Sequence, residues 1–281
     1  MILVTGATGT VGSEVVRLLA ARGERVRAMT REPSKVEALP GVEAVRGDFG
    51  DHESLAEVAR GAERLFLLTA PGPWVVQHDE AMLKAARAAG VRKVVKVSAI
   101  GTGEDKAGDW HLPGERALRE GEMAWTVLRP SSFASNSLSW APQVRAGEPI
   151  PNMFGKGTQG VIDPRDVAEV AVRVLTSDGH EGSALTLTGP ELVGTRDMAE
   201  VLGKELGRTV ETVDVPLAVY REQLTAAGLD PGFVEIAVGG AKLVTEGGNA
   251  RLTGAVEQVL GRPPRTFATW AHDHRAAFAA G

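Results

Sequence analysis

Met1-Ile2-Leu3-Val4-Thr5-Gly6-Ala7-Thr8-Gly9-Thr10-Val11-Gly12 decides the fold. A short apolar run enters a turn carrying Gly6, Gly9 and Gly12, and from Val11 to Ala21 apolar side chains recur at helical spacing. A strand that enters a glycine-rich turn and leaves as a helix is the first unit of a dinucleotide-binding α/β fold. Each glycine has its own reason there. Gly6 permits the tight turn, Gly9 lets the main chain approach a pyrophosphate, and Gly12 lets the helix pack closely on the strand. The helix N-terminus adds N–H donors and positive potential, so Gly6, Thr8, Gly9, Thr10, Val11 and Gly12 form the expected phosphate cradle.

Beyond this turn the alternation repeats. Strands are expected at about 1–5, 25–30, 42–46, 64–69, 93–98 and 125–128, with helices over Val11–Ala21, Ser54–Ala59, Asp79–Ala89 and Gly114–Glu120. Each helix ends near a glycine (Gly23, Gly61, Gly90, Gly121) able to supply a left-handed C-cap. Leu65-Phe66-Leu67-Leu68 and Val94-Val95-Lys96-Val97 are largely apolar without clean alternation, as in a parallel sheet covered on both faces. The fold class is therefore α/β: a doubly wound, Rossmann-type parallel sheet with a smaller, mostly helical C-terminal lobe on the substrate side.

From Pro130 to Ile162 the chain is rich in Ser, Pro and Trp and is expected to form loops. A helix follows, with Asp163 as N-cap, Pro164 and Asp166 in its first turn and its end near Leu175. Next come a strand at Ser183–Thr188, a helix capped by Thr195 that runs to Leu206, and helices at Leu217–Ala227, Pro231–Leu243, Leu252–Leu260 and Phe267–Ala279. With no internal repeat and no low-complexity linker, one domain is expected over 1–281. Residues 1–130 are its dinucleotide-binding core and 131–281 its substrate-side elaboration.

Composition narrows the partners. Lys and Arg number 31 against 36 Asp and Glu in 281 residues, a net charge of −5 without a long run of one sign, which argues against a nucleic-acid partner. No cysteine is present, so disulfides, thiolate nucleophiles and cysteine-held metals are excluded. No apolar run approaches the roughly 18 residues of a membrane span, and the start shows no basic-then-apolar leader. The expectation is a cytoplasmic protein whose partner is a small molecule, not a membrane. A homodimer stays open: an exposed helix pair would serve as its interface, but no feature selects one.

The second strand ends in Arg31 rather than in an acid for a ribose 2′-hydroxyl, and Lys35 lies one helical turn further on. Two cations there favour a 2′-phosphate, hence NADP(H) over NAD(H). Asp48 and Phe49, after strand three, fall where the adenine would lie. Thr69, Ala70 and Pro71, after strand four, fall where the nicotinamide half should pass. The Tyr-x-x-x-Lys pair of many short-chain reductases is missing, since the single tyrosine, Tyr220, is followed four positions on by Leu224.

Gly6–Gly12, Arg31, Asp48, Glu115-x-x-Leu118, Thr126-Val127-Leu128-Arg129-Pro130 and Asp163-x-Arg165-Asp166-Val167-Ala168 together resemble the NmrA-like branch of atypical short-chain dehydrogenases. The similarity covers nearly the whole chain and is nearest to the NAD(P)H:quinone oxidoreductase members. It implies NADPH binding, a C-terminal substrate lobe and, in some members, quinone reduction; the branch also holds dinucleotide-sensing regulators without turnover. Anchored on Glu115 and Leu118, the family's usual lysine position falls on His111 and its tyrosine position on Ala107.

His111 then becomes the candidate proton donor, because imidazole titrates near neutrality, and Ser98 at the end of strand five a candidate hydrogen-bond partner for a substrate oxygen. Trp74, Trp110, Phe133 and Trp140, with Met153 and Phe154, are expected to wall a planar aromatic or quinone-like substrate. No metal is expected, since His272 and His274 sit two apart and point to different sides of a helix. Two functions follow. One is an NADP(H)-dependent oxidoreductase passing hydride to a quinone-like or enone/carbonyl small molecule; the other is a non-catalytic NADP(H)-sensing regulator.

Overall fold

Residues 1–103 and 109–279 are described by a computed structural model of the chain. The elements begin β1 (Ile2–Val4), α1 (Thr10–Ala21), β2 (Val26–Thr30), β3 (Val42–Arg46), α2 (His52–Ala59), β4 (Arg64–Leu67) and α3 (Val75–Ala88). They continue β5 (Lys93–Val97), α4 (His111–Arg119), β6 (Ala124–Pro130), α5 (Ala141–Ala146), β7 (Ile150–Asn152), α6 (Pro164–Thr176) and β8 (Ser183–Leu187). Last come α7 (Thr195–Leu206), β9 (Thr212–Asp214), α8 (Leu217–Ala226), α9 (Pro231–Thr245), α10 (Ala255–Leu260), α11 (Phe267–Asp273) and α12 (Arg275–Phe278).

Two compact units emerge, and neither is one continuous stretch. The first comprises Met1–Pro130, Pro164–Leu187 and Ala255–Gly261. Its seven strands are all parallel, in the order β3-β2-β1-β4-β5-β6-β8. Strand order reverses between β1 and β4, the place where ligands bind in open sheets of this kind. Thr5 fastens that point: its Oγ1 donates to Leu68 O at 3.0 Å and accepts from Leu68 N at 2.9 Å. The helices α2, α3 and α4 cover one face over Leu3, Leu55, Leu65, Leu67, Met82 and Val127, while α1 and α6 pack together.

Period two along β5 sends Lys96 and Ser98 toward α3 and α4, and Lys93 the other way, to Ser177 O and Glu181 at 2.6 Å each. The second unit holds Ser131–Asp163, Thr188–Gly254 and Arg262–Gly281. There β7 and β9 form a two-stranded parallel sheet, and the core gathers Trp140, Val144, Ile150, Leu202, Phe267 and Trp270.

The expected fold class is what is found; the departures are local. The stretch from Pro130 to Ile162, expected to be loops, contains a 3-10 turn at Ala134–Trp140, α5 and β7. The helix expected at Phe267–Ala279 breaks at His274. Gly194, not Thr195, is the N-cap of α7, and Asp197 Oδ2 accepts its N–H at 2.8 Å. Gly23, Gly61 and Gly90 take the left-handed conformation expected of them, but Gly121 does not. No described helix is long and apolar enough to cross a membrane.

Candidate functional site

The glycine turn opens at the switch point. Gly6 has φ 62°, and its carbonyl accepts from Gly9 N at 3.0 Å, which closes the turn. Gly9 is the N-cap of α1 and no side chain caps the helix, so the first-turn N–H groups of Thr10, Val11 and Gly12 have no capping partner. A Cβ on Gly12 would lie 2.0 Å from Gly6 O; one on Gly9 would meet the same oxygen at 3.3 Å. Gly12 is thus needed for packing, whereas Gly9, like Thr8 and Thr10, stands exposed. An exposed turn without a side chain at Gly9, followed by unclaimed donors, fits a pyrophosphate.

Thr8 Oγ1 reaches Thr30 Oγ1 at 3.5 Å, which brings the turn beside the end of β2. Arg31 follows there, exposed. Lys35 Nζ bonds Glu32 Oε1 at 2.8 Å in an exposed pair, and this contact holds the Glu32 carboxyl below its usual range. At the end of β3, Asp48 Oδ1 accepts from Gly50 N at 2.9 Å and so shapes its own turn. The Phe49 ring stacks on His78 with centroids 5.0 Å apart, leaving one face already covered.

After β4, Ala70 and Pro71 are exposed, and Thr69 is buried with its hydroxyl donating to Asp79 Oδ1 at 2.8 Å. Trp74 folds back over this loop. Its Nε1 donates to Ala70 O at 3.0 Å, and the indole lies so close to Gly72 that a Cβ there would sit 2.3 Å from the ring; 40% of the residue remains exposed.

Under the ends of β4 and β5 lies a polar cluster that the local sequence does not announce. Lys96 Nζ is 2.5 Å from Asp79 Oδ2, with both side chains essentially inaccessible. Beside it, Ser98 Oγ donates to Glu115 Oε1 at 2.6 Å, and Arg129 binds both oxygens of that carboxylate, at 3.0 and 2.6 Å. Arg119 adds a contact of 2.8 Å to Oε2. Burial opposes the Glu115 charge, but Arg129, Ser98 and Arg119 outweigh it and leave the carboxyl below its ordinary range. The one proton of the Ser98 hydroxyl is therefore engaged by Glu115 rather than turned to a substrate.

His111 opens α4. Burial, reinforced by the Lys96 charge, lowers its pKa to about 4, so near neutral pH the imidazole is uncharged. A ring uncharged near neutral pH is not the imidazolium donor expected from the unperturbed pKa. Ala107 lies outside the described residues. The signal for the buried pair was a lysine inside a strand covered on both faces, since such a lysine is rarely buried without a partner.

The expected aromatic walls fare unequally. Trp110 is partly buried in the first unit; in the second, Phe133, Met153 and Phe154 are partly buried. Trp140 is only 8% exposed and belongs to that unit's core, so its role is packing. His272 bonds Glu205 at 2.8 Å, and His274 stacks on Trp270 at 4.3 Å. Among the described residues no group of three or more His, Cys, Asp or Glu is arranged to hold a metal.

The family described as NAD(P)H-binding matches residues 6–178, the stretch that carries the cradle and the buried cluster. The chain is 38% identical to the (4-alkanoyl-5-oxo-2,5-dihydrofuran-3-yl)methyl phosphate reductase of Streptomyces griseus, over 99% of both chains. It is 35% identical to the NAD(P)H azoreductase of Xenophilus azovorans over the full length of both. Among solved structures, the NADPH-dependent quinone oxidoreductase of Escherichia coli, complexed with NADPH, superposes with a TM-score of 0.86 at 26% identity, covering 97% of this chain and 99% of that one.

Proposed function

Because the chain belongs to the NAD(P)H-binding family of oxidoreductase relatives, we propose that it is an NADPH-dependent reductase of a flat, conjugated small molecule, quinone-like or enone in character. The observation that carries this reading is the exposed, uncapped glycine turn at the sheet's switch point, with Arg31 beside it. Gly9 and the N–H groups of Thr10, Val11 and Gly12 hold the pyrophosphate, and Arg31 grips the 2′-phosphate as a bidentate donor. Lys35 joins only by exchanging Glu32 for that phosphate.

NADPH bound there would supply the hydride, and water the proton that completes the reduced product. The chain's own residues need to hold the acceptor against the nicotinamide, exclude competing geometry and stabilise the negative charge that develops. A conjugated acceptor suits a site without the Tyr-x-x-x-Lys pair, since its reduced anion is delocalised and needs no strong acid. The names of the similar proteins support that choice: an unsaturated furanone, an azo compound and a quinone are all electron-poor and conjugated.

The test is fluorescence titration with NADPH and NADH, followed in the same cuvette by menadione, an unsaturated lactone and an azo dye. NADPH binding with acceptor-dependent oxidation supports the proposal. Binding without oxidation of any acceptor would favour the regulator reading instead.

A further inference from the structure

The buried carboxylate of Asp79 ties the loop after β4 to the middle of the sheet. Its Oδ1 accepts from the hydroxyl of Thr69, ten residues back, at 2.8 Å. Its Oδ2 lies 2.5 Å from Lys96 Nζ, an ion pair rather than an aligned hydrogen bond, and Nζ also donates to Val97 O at 3.2 Å. Lys96 stands on β5, which pairs with β4 on one side and β6 on the other, so the carboxylate is fastened to the sheet itself. Helix α4 closes over it: a Cβ on Gly114 would stand 2.5 Å from Oδ2, and the approach needs glycine.

The loop anchored in this way borders the glycine turn. A Cβ on Gly6 would stand 3.1 Å from Leu68 O, and Thr5 Oγ1 bonds both main-chain groups of Leu68. From the outside, Trp74 Nε1 donates to Ala70 O at 3.0 Å. Thr69 is thus gripped by a buried partner and Ala70 by an exposed one, which fixes the start of the exposed pair Ala70-Pro71. Replacing a buried ion pair by apolar residues of similar volume is often neutral or stabilising, so stability alone does not account for the charges. A carboxylate offering one oxygen to the loop and the other to the sheet does account for them.

We infer that Asp79 and Lys96 are positioning residues for the nicotinamide half of the dinucleotide. Through the Thr69 hydroxyl they hold the Thr69–Pro71 loop in the shape that receives it, while Arg31 and the glycine turn serve the phosphates. The inference rests on the cofactor part of the reductase reading and needs no turnover.

The test uses the full chain. Thr69→Val removes the hydroxyl at nearly constant volume and Thr69→Ser keeps it. Asp79→Leu/Lys96→Met removes both charges together, which avoids stranding one of them in the interior. Each form is titrated with NADPH and with adenosine 2′,5′-bisphosphate, which carries the 2′-phosphate and the adenine-side phosphate but no nicotinamide. Nitrogen–proton NMR of the ligand-free indoles, with Trp74→Phe giving the assignment, follows the Trp74 N–H that reports on Ala70.

Thr69→Val and the double variant should bind NADPH about 10-fold more weakly, the scale of one lost hydrogen bond to a charged group, and the bisphosphate within about twofold of wild type. Thr69→Ser should bind both ligands as the wild type does. In Thr69→Val the Trp74 indole proton should exchange with solvent about 10-fold faster, as the loop opens more often. Unchanged NADPH affinity in Thr69→Val, or equal losses for the two ligands, overturns the inference: the first denies the loop its role, and the second points to general damage. If the wild type binds neither ligand, the cofactor reading has failed and the nicotinamide assignment falls with it. Indole exchange then decides the anchoring of the loop by itself, and an unchanged rate in Thr69→Val refutes it.

Discussion

Alanine at Gly9 and alanine at Gly12 should do different damage, although both sit in one seven-residue turn. At Gly12 the added carbon would stand 2.0 Å from Gly6 O and 2.7 Å from Gly6 C, both main-chain atoms. Relief requires α1 to move away from the turn by about 1 Å, an overpacking that costs on the order of 1–3 kcal/mol. At Gly9 the new carbon meets Gly6 O at 3.3 Å, and φ −84°, ψ 172° suits any L-residue, so the fold should tolerate it. What alanine spoils there is the approach of the pyrophosphate.

Losing one charge-assisted hydrogen bond is worth about 1.5–3 kcal/mol, a change of roughly 10- to 100-fold in Kd. With NADPH at a hundred times the wild-type Kd, ligand binding adds about 2.7 kcal/mol to wild-type stability; a 100-fold weaker variant gains only about 0.4 kcal/mol. Thermal unfolding with and without NADPH separates the two cases. Gly9→Ala should match the wild-type Tm without ligand and lose most of the ligand-induced rise, whereas Gly12→Ala should start from a lower Tm. A full rise in Gly9→Ala, or an unchanged ligand-free Tm in Gly12→Ala, would refute the division of labour between these glycines.

Arg31→Ala should weaken NADPH binding by about 10-fold while leaving NADH within twofold, because the lost contact is to the 2′-phosphate alone; equal losses for both nucleotides in a fluorescence titration would remove Arg31 from that role. Glu32→Gln should free Lys35 and raise the NADPH-over-NADH preference in the same assay, and a fall in preference would show that the pair orders the site instead. For His111, the folded pKa lies near 4 against 6.5 for the free side chain, so between these values the unfolded chain binds a proton that the folded one does not. Its contribution is present above pH 6.5 and declines toward pH 4 by roughly 3 kcal/mol; urea unfolding at pH 7 and 4.5 should show His111→Phe losing less stability than the wild type. Asp79→Asn should cost about 3–5 kcal/mol by stranding Lys96, and the double variant Asp79→Leu/Lys96→Met should recover most of it in chemical denaturation.

The sheet was legible because its information is local: β-branched runs, helical spacing and a glycine turn each occupy a few consecutive residues. The cradle was legible for the same reason. The role of Lys96 is not legible because a strand reading Lys-Val-Val-Lys-Val looks apolar with two incidental charges, and its counter-ion lies seventeen positions earlier on α3. The partner of Ser98 is hidden for a similar reason, since nothing near it in sequence announces Glu115. The three-residue strands β7 and β9 are too short for periodicity to speak; only their pairing defines them. His111 shows the limit for chemistry: its residue type suggested a proton donor, and only burial beside Lys96 reveals a neutral ring.

The interrupted make-up of the first unit bears on how the chain is made. During vectorial synthesis, β1 to β6 emerge as one uninterrupted run ending at Pro130, but β8, which closes the far edge of the sheet, arrives only by Leu187, and α10 not before Leu260. Until then the main-chain groups along β6 have no neighbour on that side, and an unpaired edge of a parallel sheet invites pairing with another nascent chain. Translation thus passes through a window of nearly sixty residues in which the nucleotide cradle is already encoded while the sheet bearing it remains open. Slow translation across that window should favour aggregation, and ribosome-associated chaperones should matter most for chains arrested between Pro130 and Leu187.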